Sequence, residues 1–127
     1  MKHYMEERIC LIVDDEPGIR KYLAVVFRNE GFRCLEAESA AESLRILRGC
    51  RGEIDLMITD IRMPGDMDGI DLANAVRNSH PGLPVILVSG YTAIDPEGFQ
   101  VVQKPFTTRE IVEAVDKAML VPAGNAR

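Results

Sequence analysis

Short unbroken apolar runs alternate along this chain with stretches whose apolar residues recur every three to four positions. Ile9-Cys10-Leu11-Ile12-Val13 is one such run, the pattern of a strand buried on both faces. From Pro17 the period changes: Ile19, Tyr22, Leu23, Val26 and Phe27 share one helical face, and Gly31 can end the helix. Pro17 suits the first helical position, where its missing N–H leaves no bond unmade. Arg33-Cys34-Leu35-Glu36-Ala37 predicts a second, short strand. Ser39-Ala40-Ala41-Glu42 is a capping box opening a helix with Leu44, Ile46 and Leu47 on its inner side. Ile54 to Thr59 predicts a third strand ending at Asp60, and Asp68 or Gly69 starts a helix with Ile70, Ala73 and Val76 inward. Pro84 to Val88 is a fourth buried run, ending at Ser89-Gly90, and Val101-Val102-Gln103 a short fifth. Thr107-Thr108-Arg109-Glu110 is a second capping box, ahead of a helix carrying Ile111, Ala114, Val115 and Ala118.

Strands and helices in alternation imply an α/β domain, a doubly wound parallel sheet with helices on both faces. Right-handed crossovers restrict such a chain to a few topologies. One of them, the flavodoxin-like five-stranded order 2-1-3-4-5, sets the C-terminal ends of strands one and three side by side. Ligands bind at that switch point, outside the carboxyl ends of the strands. No internal repeat or low-complexity stretch interrupts the pattern. Residues 8–120 read as one domain between an N-terminal tail, 1–7, and a C-terminal tail, 121–127.

Composition narrows the class. With 46% hydrophobic and 28% charged residues among 127, the chain can bury a core, which excludes a disordered segment. Fifteen Lys and Arg against twenty Asp and Glu leave a net charge of −5 and no basic cluster, so no nucleic-acid partner is expected. No apolar run approaches the roughly 20 residues that cross a bilayer. The start, Met1 to Arg8, has no apolar secretion signal, so a cytoplasmic location with no membrane partner is expected. Cys10, Cys34 and Cys50 form no CxxC pair, and Cys10 and Cys34 read as small core residues. His3 and His80 lack any partner at metal-ligand spacing and read as surface residues.

The chemistry gathers at strand ends. Asp14-Asp15 follows strand one directly, and Asp60 follows strand three. In the expected strand order these carboxylates meet in one crevice, where like charges destabilise one another unless a cation or proton neutralises them. A hard divalent ion with oxygen ligands, Mg²⁺ in particular, suits such a site. Taken singly, Asp14 and Asp15 could be acids capping the helix at Pro17, and Asp60 a turn residue. Three together at one switch point make a poorer coincidence. Ser89, at the end of strand four, adds a hydroxyl donor, and Lys104, at the end of strand five, adds a fixed positive charge. An acidic metal nest rimmed by a hydroxyl and an ammonium matches a metal-bound phosphoryl group.

On these residues the chain resembles the response-regulator receiver domains of two-component signalling. The resemblance covers about residues 8–120 and rests on Val13-Asp14-Asp15-Glu16, Thr59-Asp60-Ile61-Arg62-Met63-Pro64, Met67-Asp68-Gly69, Val88-Ser89-Gly90-Tyr91 and Gln103-Lys104-Pro105-Phe106. It implies that Asp60 is the phosphoacceptor, that Asp15 ligates Mg²⁺ directly and Asp14 mainly through water, and that the backbone carbonyl of Arg62 completes the protein ligands. Ser89 and Lys104 would bind phosphoryl oxygens. Arg62 and Tyr91 fall where family members tune the lifetime of the acyl phosphate, and their bulk implies slow to moderate self-dephosphorylation. Three features depart from the common pattern, one of them a short connection between strands four and five. The loop Met63 to Gly69 is one residue longer than usual, similar to receivers attached to, or partnered with, hybrid histidine kinases. The aromatic switch residue of the family would fall three places before Lys104, where this chain has Val101.

The expected function is therefore a receiver phosphorylated on Asp60 by a histidine kinase or histidine phosphotransfer protein and signalling through protein contacts, not an enzyme beyond its own phosphotransfer and dephosphorylation. Met1 and the short tail favour a stand-alone protein; a receiver domain excised from a hybrid histidine kinase is the alternative. An aspartyl-nucleophile phosphohydrolase of the haloacid dehalogenase type wants Asp-x-Asp after strand one, where this chain has Asp14-Asp15-Glu16, and also a cap domain. A pseudo-receiver that is never phosphorylated is disfavoured by the presence of Asp14, Asp15, Asp60, Ser89 and Lys104 together. Finally, only the ten residues Gly90 to Phe99 join strands four and five, and they include Pro96 and Gly98. A crossover with a helix needs about 10–12, so the fourth helix is expected to be short or absent. One face of strand four, Ile86 and Val88 or Val85 and Leu87, would then be bare and open to a homodimer or tight partner over strands four and five, with Thr92 to Phe99 rearranging on phosphorylation.

Overall fold

The first apolar run forms β1 (Arg8–Val13), followed by α1 (Pro17–Asn29), β2 (Phe32–Ala37), α2 (Ala40–Cys50), β3 (Leu56–Asp60), α3 (Gly69–Ser79), β4 (Val85–Ser89), β5 (Gln100–Gln103) and α4 (Thr108–Leu120). The computed structural model describes residues 7–50, 52–90, 96 and 98–120. The strands make one parallel sheet of five in the order β2-β1-β3-β4-β5, as the alternating periods predict. Val13 pairs with Ala37 and with Thr59, Asp60 with Val88, and Ser89 with Gln103. This register brings the carboxyl ends of the four strands β1, β3, β4 and β5 to one rim.

Two apolar clusters, one on each face, hold the sheet. Cys10, Ile12, Leu56, Ile58, Ile86 and Val88 pack against Leu23, Ala24 and Phe27 of α1 and Ile111 and Val115 of α4. Leu11, Val13, Met57, Val85 and Leu87 pack against Leu47 of α2 and Leu72, Ala73 and Val76 of α3. Each fully buried Leu, Ile, Val or Phe contributes about 1.5–3 kcal/mol. Cys10 and Cys34 sit in register across β1 and β2 as free thiols, Cys10 buried and Cys34 partly so.

The caps largely follow the sequence. Pro17 occupies the first turn of α1, and Gly31, with φ of 95°, turns the chain beyond its end. Thr107 and Glu110 exchange both bonds of a capping box, at 3.1 and 2.8 Å. At α2, Ser39 Oγ accepts the Glu42 N–H at 3.1 Å, but the Glu42 carboxylate reaches one residue further back, to the Glu38 N–H at 2.7 Å.

Two expectations need correction. Tyr22, placed on the inner face of the first helix, is 39% exposed. Its hydroxyl hydrogen-bonds Thr108 at the start of α4, which draws the ring over the rim, and Ala24 is buried on α1 instead. The expected bare face of β4 is not bare: Val85, Ile86, Leu87 and Val88 are at most 7% exposed. Ile86 and Val88 share the cluster of Ile111 and Val115, whereas Val85 and Leu87 share that of Ala73 and Val76, with Leu83, Phe99 and Val101 against it. The Arg77 guanidinium, 3.9 Å from the centre of the Phe99 ring, ties α3 to the chain entering β5. The apolar patch that motivated a homodimer over β4 and β5 is thus absent among the described residues. Those between the two strands, Gly90, Pro96, Gly98 and Phe99, are in no helix. Most of the expected rearranging segment, Thr92 to Phe99, lies outside the described residues.

Candidate functional site

Past the end of β1 the pairing with β2 continues for one more bond, from the Asp14 N–H to the Ala37 carbonyl at 3.0 Å. That bond carries Asp14 inward to 1% exposure, while Asp15 projects into solvent. Asp14 Oδ1 accepts the Glu16 N–H at 2.9 Å, an Asx turn that leads the chain into α1 at Pro17. Asp60, the last residue of β3, is 7% exposed. Carboxylate oxygens of Asp14, Asp15 and Asp60 all lie within 4.8 Å of one another. The switch point therefore gathers the three acids that the sequence placed there.

The opposite side of this nest is built by β4 and β5. Lys104 follows β5, and its N–H donates to the Ser89 carbonyl at 2.7 Å. Its Nζ stands 3.4 Å from Asp60 Oδ1 and 4.0 Å from Asp14 Oδ2. The Lys104–Pro105 peptide is cis. Ser89, 1% exposed, ends β4 on the Asp60 side, since Asp60 pairs with Val88. Arg62 is exposed in the turn after β3. Val101, half-buried, pairs with Leu87 and packs in the α2–α3 cluster. Tyr91 lies outside the described residues.

Two supports of the site have no chemical signature in the sequence. Gly69, at the start of α3, donates its N–H to the Ile61 carbonyl at 2.8 Å, and a Cβ there would lie 2.0 Å from the Asp60 carbonyl oxygen. The same carbonyl accepts the Thr59 hydroxyl at 3.0 Å. Asp68 and Asp71 close a capping box that holds this helix start in place, at 2.9 and 3.1 Å. The second support is Arg20, whose Nη1 donates to the Asp14 carbonyl at 2.8 Å and whose Nε donates to Glu36 Oε1 at 2.9 Å. Gly69 belongs to the quoted Met67-Asp68-Gly69 motif, but only the folded chain gives the reason for the glycine.

Burial pushes the Asp14 carboxyl up to about 6; Asp60 and Asp15 push the same way, and the Glu16 N–H and Lys104 oppose them. Asp60 is also raised, by burial first and by Asp15, against the pull of Lys104. The site therefore holds negative charge at a cost that a cation relieves. Its donors are all carboxylate oxygens, which fit Mg²⁺ rather than a soft-ligand metal.

A parallel α/β sheet with an acidic nest and a lysine at its switch point defines a phosphoryl-accepting signalling module. The chain belongs to the response regulator receiver domain family, whose pattern matches residues 10–116. It is 36% identical over 117 residues to the transcriptional regulatory protein GlrR of Escherichia coli, covering 86% of this chain and 26% of that protein. The chain thus spans about a quarter of the length of GlrR and of the NtrC regulators it also matches. Among solved structures it is similar to the response regulator TrrA of Thermotoga maritima in complex with Mg²⁺ and BeF, at 32% identity and a TM-score of 0.77, covering 87% of this chain and 98% of that one. The receiver domain of the hybrid histidine kinase CckA matches at 33% identity and a TM-score of 0.76, covering 87% and 98%. No helix among the described residues is long and apolar enough to cross a membrane.

Proposed function

We propose that this receiver domain takes a phosphoryl group onto Asp60 from the phosphohistidine of a histidine kinase or histidine phosphotransfer protein. Asp14, Asp15, Asp60 and the backbone carbonyl of Arg62 would hold Mg²⁺. The observation that carries the reading is the position of Asp60, with two carboxylates and the Lys104 ammonium converging on it. A carboxylate oxygen of Asp60 attacks phosphorus, the P–N bond breaks, and its electron pair stays on the imidazole nitrogen. Mg²⁺, when bound, supplies positive charge against the transferring phosphoryl oxygens. Lys104 pairs with one of those oxygens and the Ser89 hydroxyl donates to another. Arg62 and Tyr91 adjust how readily water reaches the acyl phosphate, and Val101 replaces an aromatic switch.

The capture of Mg²⁺ and BeF by TrrA supports the metal assignment. The match to the CckA receiver and the long Met63 to Gly69 loop support a partner of the hybrid-kinase relay type. Signalling then proceeds through protein contacts, and the chain catalyses only its own phosphotransfer and dephosphorylation. The test is uptake of phosphate from acetyl phosphate with Mg²⁺, followed by intact mass. Stoichiometric uptake by the wild type and none by Asp60→Asn is expected. Undiminished uptake by Asp60→Asn would overturn the assignment.

A further inference from the structure

We propose that Arg20 is a positioning residue for the metal-binding turn, bracing the peptide between Asp14 and Asp15 from behind through Glu36. The inference rests on the reading of Asp14 and Asp15 as metal ligands. Asp14 is fixed at three points by other groups or by its own turn. Its N–H bonds Ala37, its Oδ1 bonds the Glu16 N–H, and its carbonyl accepts the Arg20 guanidinium. That carbonyl belongs to the peptide whose N–H is that of Asp15. With the next peptide held by the Glu16 N–H bond to Asp14 Oδ1, fixing this plane leaves Asp15 between two fixed peptides, and that sets the direction in which its side chain leaves the backbone. Asp15 is the exposed acid of the three, so backbone direction is its main constraint.

The guanidinium is suited to the task by its shape. Nε and Nη1 are rigidly related in one plane, so the bond from Nε to Glu36 at 2.9 Å orients Nη1 toward the Asp14 carbonyl at 2.8 Å. The Arg20 side chain is only 13% exposed, and a charge so covered needs both partners. Glu36 stands on β2 opposite Ile12 of β1, so the brace is anchored in the sheet. Burial alone would raise the Glu36 carboxyl, but hydrogen bonds from Arg20 and Lys21 outweigh it and hold the group below its ordinary value. Glu36 therefore stays ionised wherever Asp14 and Asp60 are ionised. A lysine at position 20 offers a single ammonium and cannot span both acceptors in one geometry.

Mg²⁺ affinity, read from amide chemical shifts of Asp15 and Ile61 during a titration without phosphodonor, tests the inference on folded molecules alone. Arg20→Ala and Arg20→Lys are each expected to bind Mg²⁺ about tenfold more weakly, the scale of losing a group that orients a ligand. At saturating Mg²⁺ both should recover most of the wild-type phosphorylation rate. Glu36→Gln, which keeps an acceptor for Nε, should fall between them and the wild type. Should Arg20→Ala not fold, Arg20→Lys, which keeps the charge, decides. Wild-type Mg²⁺ affinity in Arg20→Lys overturns the inference and leaves the metal assignment standing. A wild type that shows no Mg²⁺-dependent shifts overturns the metal assignment, and the inference with it.

Discussion

The Lys104 ammonium stands 3.4 Å from Asp60 Oδ1, and it is held there by its own backbone, which bonds the Ser89 carbonyl at 2.7 Å. The charge is thus delivered by a strand end rather than by a flexible loop. Lys104 lowers the pKa of both Asp60 and Asp14, so Lys104→Ala should raise both. In the proposed transfer the ionised Asp60 carboxylate is the nucleophile, so the pH–rate profile for phosphorylation should move to higher pH. Mg²⁺ binding should be kept or tightened, because a competing cation is gone. An unshifted profile would show that Lys104 acts only after transfer.

Asp60→Asn should remove phosphorylation altogether and, without Mg²⁺, raise stability. The amide keeps the shape, removes the nucleophile, and ends the repulsion with Asp14 and Asp15. A gain on the order of 1 kcal/mol in urea unfolding is expected. Added Mg²⁺ should then stabilise the variant less than it stabilises the wild type.

Stability without metal should fall as pH rises from about 4 to about 6. Asp14 keeps its proton up to about 6 in the folded chain but loses it near 3.9 when unfolded. Across that window the folded state binds the extra proton, so rising pH disfavours folding, by at most about 3 kcal/mol, and the loss levels off above it. Glu36 acts in the opposite sense and lower on the scale. Its carboxyl is held below the ordinary value, so its contribution is present above the unfolded pKa and is lost as pH falls through the folded one. Urea unfolding at pH 5 and pH 7.5 in a chelator checks the sign, and saturating Mg²⁺ should erase the drop.

Asp15→Ala should weaken Mg²⁺ binding more than Asp14→Ala. One oxygen of Asp14 is engaged by the Glu16 N–H and the other faces Lys104, whereas Asp15 is exposed. Calorimetric titration of both variants ranks them, and the reverse order would assign the direct ligand to Asp14.

The strand-end residues were legible because unbroken apolar runs mark parallel strands buried on both faces, and such strands stop where a polar or charged side chain appears. Asp14, Asp60, Ser89 and Lys104 all stand at such stops, and the structure brings Asp14, Asp60 and Lys104 together. The cover of β4 was not legible. Counting the residues that join two strands gives the room for a helix, but it cannot reveal that α3, Leu83 and Phe99 already lie over Val85 and Leu87. Tyr22 misled for a related reason: helical period gives the direction of a side chain, not the Thr108 hydroxyl waiting beyond the rim. Arg20 carries no signal at all until β2 sets Glu36 beside it.

The approach of Gly69 to the Asp60 carbonyl bears on how this sequence can vary. Any β-carbon at position 69 meets backbone at 2.0 Å, and the neighbouring Ile61 Cα at 2.7 Å leaves no direction in which to yield. Backbone, unlike the tip of a side chain, does not step aside, so even Gly69→Ala must displace the start of α3 or the end of β3. In a library of single substitutions, position 69 should therefore tolerate as little as position 60. Under the proposed function one site is restricted by the group it must carry, and the other, by geometry, by the group it must lack.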